Sequence, residues 1–413
     1  MASLHTGPTN ISPGPDGTRI GLCLSGGGFR AALYGLGVVR YLAEAGLLAQ
    51  VQAVSAVSGG SVAAAVLADR WPALARENFS LEAYIREVEE PFHRAVTETN
   101  MRNEAIGRWA KRHLSLRGRS RGSAMGNVLV EHLLQARRVS DLDPMLQVIL
   151  TSTDCATGRA FRVSRDFIGS WDFGYQPVPE GLGLGAPVAA STAVPMLFPP
   201  VHIETDGLGL RNPPPVLSLV DGGVYDNLGL EWFQGWGVGR PPAARKVDFV
   251  IVVDASDPFT RSDKRLGTAR AAWRSRNIQY VQTRTTRIRW FVDELITGKR
   301  QGAYLVSKYD PRGFKLANGA PIDPLLYDGA LPAGFASALS SLRTDLDRFR
   351  SEESALLRYH GYWSAHARMS TFHPQLALHG SPGWREYADL SASDTTALRA
   401  LLDEGRKLRP LRR

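Results

Sequence analysis

The sequence predicts an α/β fold built on a mostly parallel central sheet wrapped by helices. Three observations carry that expectation. Residues 18–24 and 51–57 are short apolar runs, each followed by a glycine-containing turn and then an apolar helix. A strand–loop–helix–strand–turn–helix order is the signature of a parallel sheet covered by helices. Residues 247–254 form a nearly continuous apolar run, as expected of a strand buried on both faces.

In chain order, residues 1–17 are rich in Pro and Gly and read as a flexible arm. They lack a charged region followed by an apolar one, so no secretory signal is expected. The strand at 18–24 runs into Ser25-Gly26-Gly27-Gly28-Phe29-Arg30. Residues 31–45 then read as a buried helix, in which Gly35 and Gly37 weaken helicity but permit close approach to a sheet. Gly46 is a stop signal. The strand at 51–57 delivers Ser58, and residues 62–68 read as a second buried helix. Residues 70–140 are charged and helical in pattern, a helical insertion broken by a basic loop at 116–123. Core character resumes at 146–154, and Thr157-Gly158-Arg159 reads as a hairpin turn into 161–163. A further strand at 216–220 ends at Asp221-Gly222-Gly223. From 265 to 297 the pattern is helical, with Val281, Ile288, Phe291, Val292, Leu295 and Ile296 on one face and Arg287 and Arg289 flanking it. The expected domains are the arm, a catalytic domain over 18–331, and a peripheral helical and loop extension over 332–413 packed on the same domain.

Composition narrows the function classes. With 413 residues, 44% of them hydrophobic, a sizeable core is available. No apolar run reaches the length of a membrane span, so a cytoplasmic location, peripheral to a membrane at most, is expected. Cys23 and Cys155 are the only cysteines, too few for a disulfide framework, and both are expected to be buried. No His/Cys cluster has zinc-ligand spacing, and no cofactor or metal is expected. The net charge of +9 is concentrated in two stretches. Residues 102–121 carry seven basic side chains against Glu104, and residues 265–300 carry nine against Asp293 and Glu294. Such stretches are either solvated helix faces or contacts to an anionic surface. An anionic membrane is the partner expected here, with Trp109, Leu114, Trp273 and Trp290 as apolar anchors and no nucleic acid.

The chemistry centres on Ala56-Val57-Ser58-Gly59-Gly60. A serine at a sharp strand-to-helix turn has the form of a nucleophile elbow, Gly-x-Ser-x-Gly, with Ala56 in place of the first glycine and Gly60 as the second. The following helix N-terminus offers unpaired N–H groups where negative charge develops. Ser55 has no glycine two residues on, and Ser61 falls inside the helix, so Ser58 is the candidate nucleophile. A serine hydroxyl needs a base. Asp221, at a strand end before two glycines, is one candidate; the nine histidines are the other, though none is framed by a strand end and a tight turn. The Gly26-Gly27-Gly28 loop, with Phe29 and Arg30, can present backbone N–H groups to an oxyanion. Arg30 would either reinforce that site electrostatically or pair with a carboxylate that braces the loop.

Taken together, Gly26-Gly27-Gly28-Phe29-Arg30, the Ser58 elbow and Asp221-Gly222-Gly223, in that order, resemble the patatin-like phospholipase family. Residues 37–47 resemble its first helix, and residues 190–200 its Ala-Ser-x-Ala-x-Pro-x-x-Phe-Pro-Pro segment. The likeness spans roughly residues 18–260. It implies a three-layer fold and a Ser58–Asp221 dyad without histidine. It also implies an oxyanion hole from Gly26 to Arg30, and metal-free hydrolysis of fatty-acyl esters of phospholipids or lysophospholipids through an acyl-enzyme. Ala56, and Leu228 where proline is commoner after Asn227, depart from the family pattern without touching the dyad. Three other readings compete: a histidine-dependent α/β-hydrolase esterase, a non-catalytic membrane-surface binder, and a nucleotide-binding protein. For the last, Gly26-x-Gly28-x-x-Ala31 loosely fits a dinucleotide fingerprint, but the second strand ends without the acid that would hold a ribose.

Overall fold

The computed structural model describes residues 17–113, 121–195, 197–234, 241, 243–259 and 265–407. The chain begins β1 (Ile20–Leu24), α1 (Gly28–Glu44), β2 (Val51–Val57) and α2 (Gly59–Arg76), the alternation that the apolar runs predict. The helical insertion follows as α3 (Leu81–Tyr84), α4 (Glu90–Glu98), α5 (Met101–His113) and α6 (Arg121–Leu133), with a π-helical turn joining α3 to α4. Next come β3 (Gln147–Asp154), β4 (Ala160–Val163), β5 (Ile168–Ser170), β6 (Gly174–Gln176), α7 (Gly185–Thr192), β7 (Val201–Glu204) and β8 (Val216–Asp221). The remainder is α8 (Gly223–Asp226), α9 (Glu231–Gln234), β9 (Phe249–Asp254), α10 (Thr268–Ile296), β10 (Gln301–Val306), α11 (Phe335–Ser340), α12 (Ser351–Phe372) and α13 (Ala392–Lys407).

The sheet runs β10-β9-β1-β2-β3-β4-β5-β6, with β8 added to β3 and β7 to β8. Its β10-to-β3 half is parallel, and its other half is antiparallel. The parallel half is the one that crossover helices build. The antiparallel half grows from the hairpin at Gly158, where φ is +70°. Every residue of β1 and β9 is buried, which accounts for their unbroken apolar sequence. Cys23 is buried in β1, but Cys155 is exposed at the β3–β4 turn, contrary to expectation.

Two elements differ from the sequence reading. Helix α12 lies in the main core rather than at the periphery, and it packs along α1. A Cβ on Gly37 would sit 1.9 Å from the Arg358 carbonyl, and one on Gly361 would sit 2.1 Å from that of Tyr34. The two helices therefore touch backbone to backbone, and Gly37 serves a helix contact instead of a sheet contact. Helix α12 reads as a surface helix because many of its buried residues are polar: Glu353, Ser354, Arg358, His360, Ser364, His366 and Arg368. Arg358 and Arg40 both pair with the buried Glu89.

Helix α10 is the second difference. Phe291 and Leu295 are buried as expected, but Ile296 is exposed. Arg284 and Arg287 turn toward the protein, 3.9 Å from Asp254 and 3.6 Å from Asp226 respectively. Those acids sit where β9 and α8 end, so their negative charge draws in cations that the sequence leaves in water. Arg300 pairs with Glu294. In the first basic stretch Arg102 pairs with Asp345 and Arg108 with Glu131, while residues 114–120 lie outside the described residues.

Candidate active site

Strand β2 ends at Val57 and α2 starts at Gly59, so the whole reversal falls on Ser58. Its backbone has φ +52° and ψ −125°. A non-glycine residue in such a region costs on the order of 1–3 kcal/mol and persists only where its surroundings hold it. Ser191 supplies the hold. The Ser58 amide donates to Ser191 Oγ at 3.0 Å. Ser191 Oγ donates to the Thr151 carbonyl at 2.7 Å, so the Ser61 hydroxyl must be the donor in its 2.8 Å contact with Ser191. Ser61 lies inside α2, as its spacing predicts, and Ser55 is buried in β2. Ser58 itself is 6% exposed.

Strand β3 sets Asp221 against the elbow. Val57 pairs with Thr151 in parallel register, and Asp221 pairs with Ser152, the next residue, in antiparallel register. Strand β4 occupies the other edge of β3 over residues 150–153. Strand β8 must therefore continue the line that β2 leaves, and Asp221 arrives beside Ser58. The Asp221 amide donates to the Ala193 carbonyl at 2.9 Å, and its own carbonyl accepts from Thr153 Oγ1 at 2.9 Å. The C-terminal end of α7, through Ser191 and the adjoining Ala193, thus braces both residues.

The Asp221 carboxyl is buried. Oδ1 accepts the Gly223 amide at 2.7 Å, while Oδ2 has no hydrogen-bond partner. Burial raises its pKa to about 6, against the opposing pull of the Ser58 hydroxyl, the Gly223 amide and Arg276. The Ser58 hydroxyl is near enough to favour the ionised acid, yet no hydrogen bond of regular geometry joins the two. Catalytic hydrogen bonds are often long before a substrate draws the groups together.

The glycine loop lies against the elbow. A Cβ on Gly59 would fall 1.9 Å from the Gly28 carbonyl, and one on Gly60 would fall 2.3 Å from that of Leu24. Of the five residues expected to form an oxyanion hole, two spend their amides elsewhere. Gly26 donates to the Asn227 carbonyl at 2.9 Å and Phe29 to that of Asp345 at 3.3 Å. Among the described residues no protein acceptor takes the amides of Gly27, Gly28 or Gly59. Asn227 Nδ2 donates to Ser256 Oγ at 2.7 Å and more loosely to the Gly26 carbonyl at 3.4 Å, tying the loop to the Asp221 turn. The Arg30 guanidinium is a brace. It is fully buried and binds Asp257 and the carbonyls of Ala255, Ser340 and Leu342 at 2.7–2.8 Å.

No described histidine is hydrogen-bonded to Ser58 or Asp221. His360 Nε2 donates to the Ser307 carbonyl at 2.6 Å, His132 meets Glu104, His202 meets Ser218 and His93 meets Ser354. Burial lowers His366 and His373 to about 4. His5 and the His113 side chain lie outside the described residues. Among the described residues no group of three His, Cys, Asp or Glu side chains is placed to hold a metal ion, and no helix is long and apolar enough to cross a membrane.

Fold and site define an α/β protein whose serine elbow faces a buried aspartate across a glycine loop. The family model for patatin-like phospholipases matches residues 22–232, and the chain belongs to that family. The sequence matches no curated protein. Among solved structures it is similar to human GIVD cytosolic phospholipase A2, at 15% identity and a TM-score of 0.48 over 89% of this chain and 60% of that one. A second structure of that protein, bound to methyl gamma-linolenyl fluorophosphonate, gives 14% identity and a TM-score of 0.49 over 93% of this chain. VipD from Legionella pneumophila gives 13% identity and a TM-score of 0.33, over 95% of this chain and 76% of that one. The chain spans about 60% of the length of the human phospholipase chain.

Proposed function

We propose that the protein is a lipid acyl hydrolase acting on fatty-acyl esters of phospholipids or lysophospholipids through a Ser58–Asp221 dyad. The observation that carries this reading is the pairing of a strained, buried Ser58 with an Asp221 carboxylate whose Oδ2 is unpartnered. Ionised Asp221 takes the Ser58 proton as Oγ attacks the ester carbonyl. The oxyanion forms against the open amides of Gly27, Gly28 and Gly59, donors of the kind worth about 2.7–4 kcal/mol each to a transition state. Protonated Asp221 then gives its proton to the leaving alcohol. Water, activated by the same carboxylate, cleaves the acyl-enzyme and restores Ser58. A base near pKa 6 suits this role: ionised at neutral pH, it still has proton affinity. Membrane contact is assigned to the basic stretches, above all to Arg117, Arg119 and Arg121.

The test is a panel of phospholipid, lysophospholipid, neutral lipid and short soluble ester, given to the wild type and to Ser58→Ala in the presence of EDTA. Hydrolysis by the wild type alone supports the reading. Equal rates from both proteins refute it.

A further inference from the structure

The glycine loop is held from behind by a segment more than 300 residues later in the chain, beyond the family-matched region. Three backbone carbonyls of residues 340–345 grip it. Those of Ser340 and Leu342 accept from Arg30 Nη1 at 2.8 and 2.7 Å, and that of Asp345 accepts the Phe29 amide at 3.3 Å. Contact is tightest at Gly28, where φ is +59° and a Cβ would lie 2.1 Å from the Thr344 carbonyl.

This carbonyl-lined turn has no regular secondary structure of its own beyond the end of α11. Side chains fix its shape, and Arg343 is the hub. Arg343 is 7% exposed. Its Nη1 and Nη2 donate to Glu353 Oε1 and Oε2, both at 3.0 Å, a bidentate pair with an acid on α12 that is fully buried. Nε donates to Asp347 at 2.8 Å and Nη2 to the Arg348 carbonyl at 2.9 Å, and the guanidinium lies 4.1 Å from the Phe349 ring centroid. Arg102, on α5, adds a second tie: its side chain donates to Asp345 at 2.8 Å and its amide to the Leu346 carbonyl at 3.1 Å.

We propose that Arg343 is a positioning residue of the hydrolytic site: by locking the 340–346 turn onto α12, it holds the Gly27 and Gly28 amides where the oxyanion forms. This rests on the oxyanion assignment given above. Arg343 touches no reacting group and acts through carbonyls that Arg30 and Phe29 contact. A planar fork is the group suited to this task, because it fixes direction as well as distance. Small misplacements of catalytic groups are expensive, since about 1 Å of error can cost on the order of 100-fold in rate.

The experiment uses the full chain. Removing Arg343 alone orphans the buried Glu353 and can unfold the protein, whereas replacing both partners with apolar residues is often neutral. The variants are therefore Arg343→Met and the double variant Arg343→Met with Glu353→Met, each checked for cooperative thermal unfolding. Two readouts follow: kcat and KM on a short p-nitrophenyl ester, and amide hydrogen exchange in peptides covering residues 25–32. In the folded double variant we expect kcat to fall roughly 10–100-fold with KM within about twofold, and exchange in 25–32 to accelerate while that in 51–57 is unchanged. Arg343→Lys, which keeps the charge but loses the fork, should fall between. A folded double variant with wild-type kcat and wild-type exchange at 25–32 overturns the proposal. Should the wild type hydrolyse no ester, the hydrolase reading fails, and the exchange arm alone decides whether Arg343 holds the loop.

Discussion

At Ser58 and Asp221 the two candidate groups are set by opposite means. Ser58 is held in a conformation it would not adopt alone, and Asp221 is held in a place where its charge is unwelcome. Burial lifts Asp221 to about 6, so the folded protein binds a proton that the unfolded chain has already lost between about pH 4 and 6. Stability therefore falls as pH rises through that window, by about 3 kcal/mol once both states are ionised. Asp221→Asn should raise the melting temperature at pH 7 and leave it nearly unchanged near pH 4, as calorimetry would show. Activity should move the other way. With Asp221 as base, kcat/KM on a short soluble ester should climb with pH through about 6 and then level. Asp345, lifted to about 7 by burial and by Asp347, titrates close to this window. The limb that persists in Asp345→Asn, which removes that carboxyl but keeps the backbone carbonyl beneath Phe29, belongs to Asp221. A flat profile between pH 5 and 7 in that variant would exclude Asp221 as the base.

Among the elements, β3 does most to assemble the site, because consecutive residues on one strand pair with the ends of β2 and β8. The end of α7 then ties the two together through Ser191 and Ala193. Ser191→Ala leaves the Ser58 amide, the Ser61 hydroxyl and the Thr151 carbonyl without their partner, a loss on the order of 1–3 kcal/mol for a buried group left unsatisfied. We expect a lower melting temperature and a kcat reduced about tenfold or more on a soluble ester. Wild-type kcat in a destabilised Ser191→Ala would show that the elbow holds its shape unaided. The strands and the elbow were legible in the sequence because apolar runs and glycines report local geometry directly. The role of Ser191 was not: residues 190–200 stood out only by family likeness, and nothing local says that a serine in α7 accepts from an amide 133 positions earlier.

Over the whole molecule, legibility follows sequence distance and polarity. The parallel half of the sheet, the Gly158 hairpin and the glycine loop follow from patterns a few residues long. Helix α12 does not, because its buried polar residues find partners on distant segments, as Arg358 does with Glu89 and His360 with Ser307. The inward turn of Arg284 and Arg287 was hidden for the same reason, since their acids lie at Asp254 and Asp226. Arg284 and Arg287 of the second basic stretch and Arg102 of the first are spent on buried acids, so the proposed electrostatic contact with a membrane rests on Arg117, Arg119 and Arg121. Basic residues near an anionic surface contribute on the order of 1 kcal/mol each. Binding to vesicles should rise with anionic lipid and weaken with salt. Changing Arg117, Arg119 and Arg121 to Ser should reduce it while sparing hydrolysis of a short soluble ester; equal binding to neutral and anionic vesicles at low salt would contradict this. The central claim, a serine–aspartate dyad, is tested most directly by phospholipid hydrolysis rates for Ser58→Ala, Asp221→Asn and the double variant, each first shown to be folded. Groups that act as one unit are not additive, so each single change should abolish turnover and the double variant should be little worse than either. Near-normal turnover by Asp221→Asn, together with loss on replacing one histidine, would contradict the account.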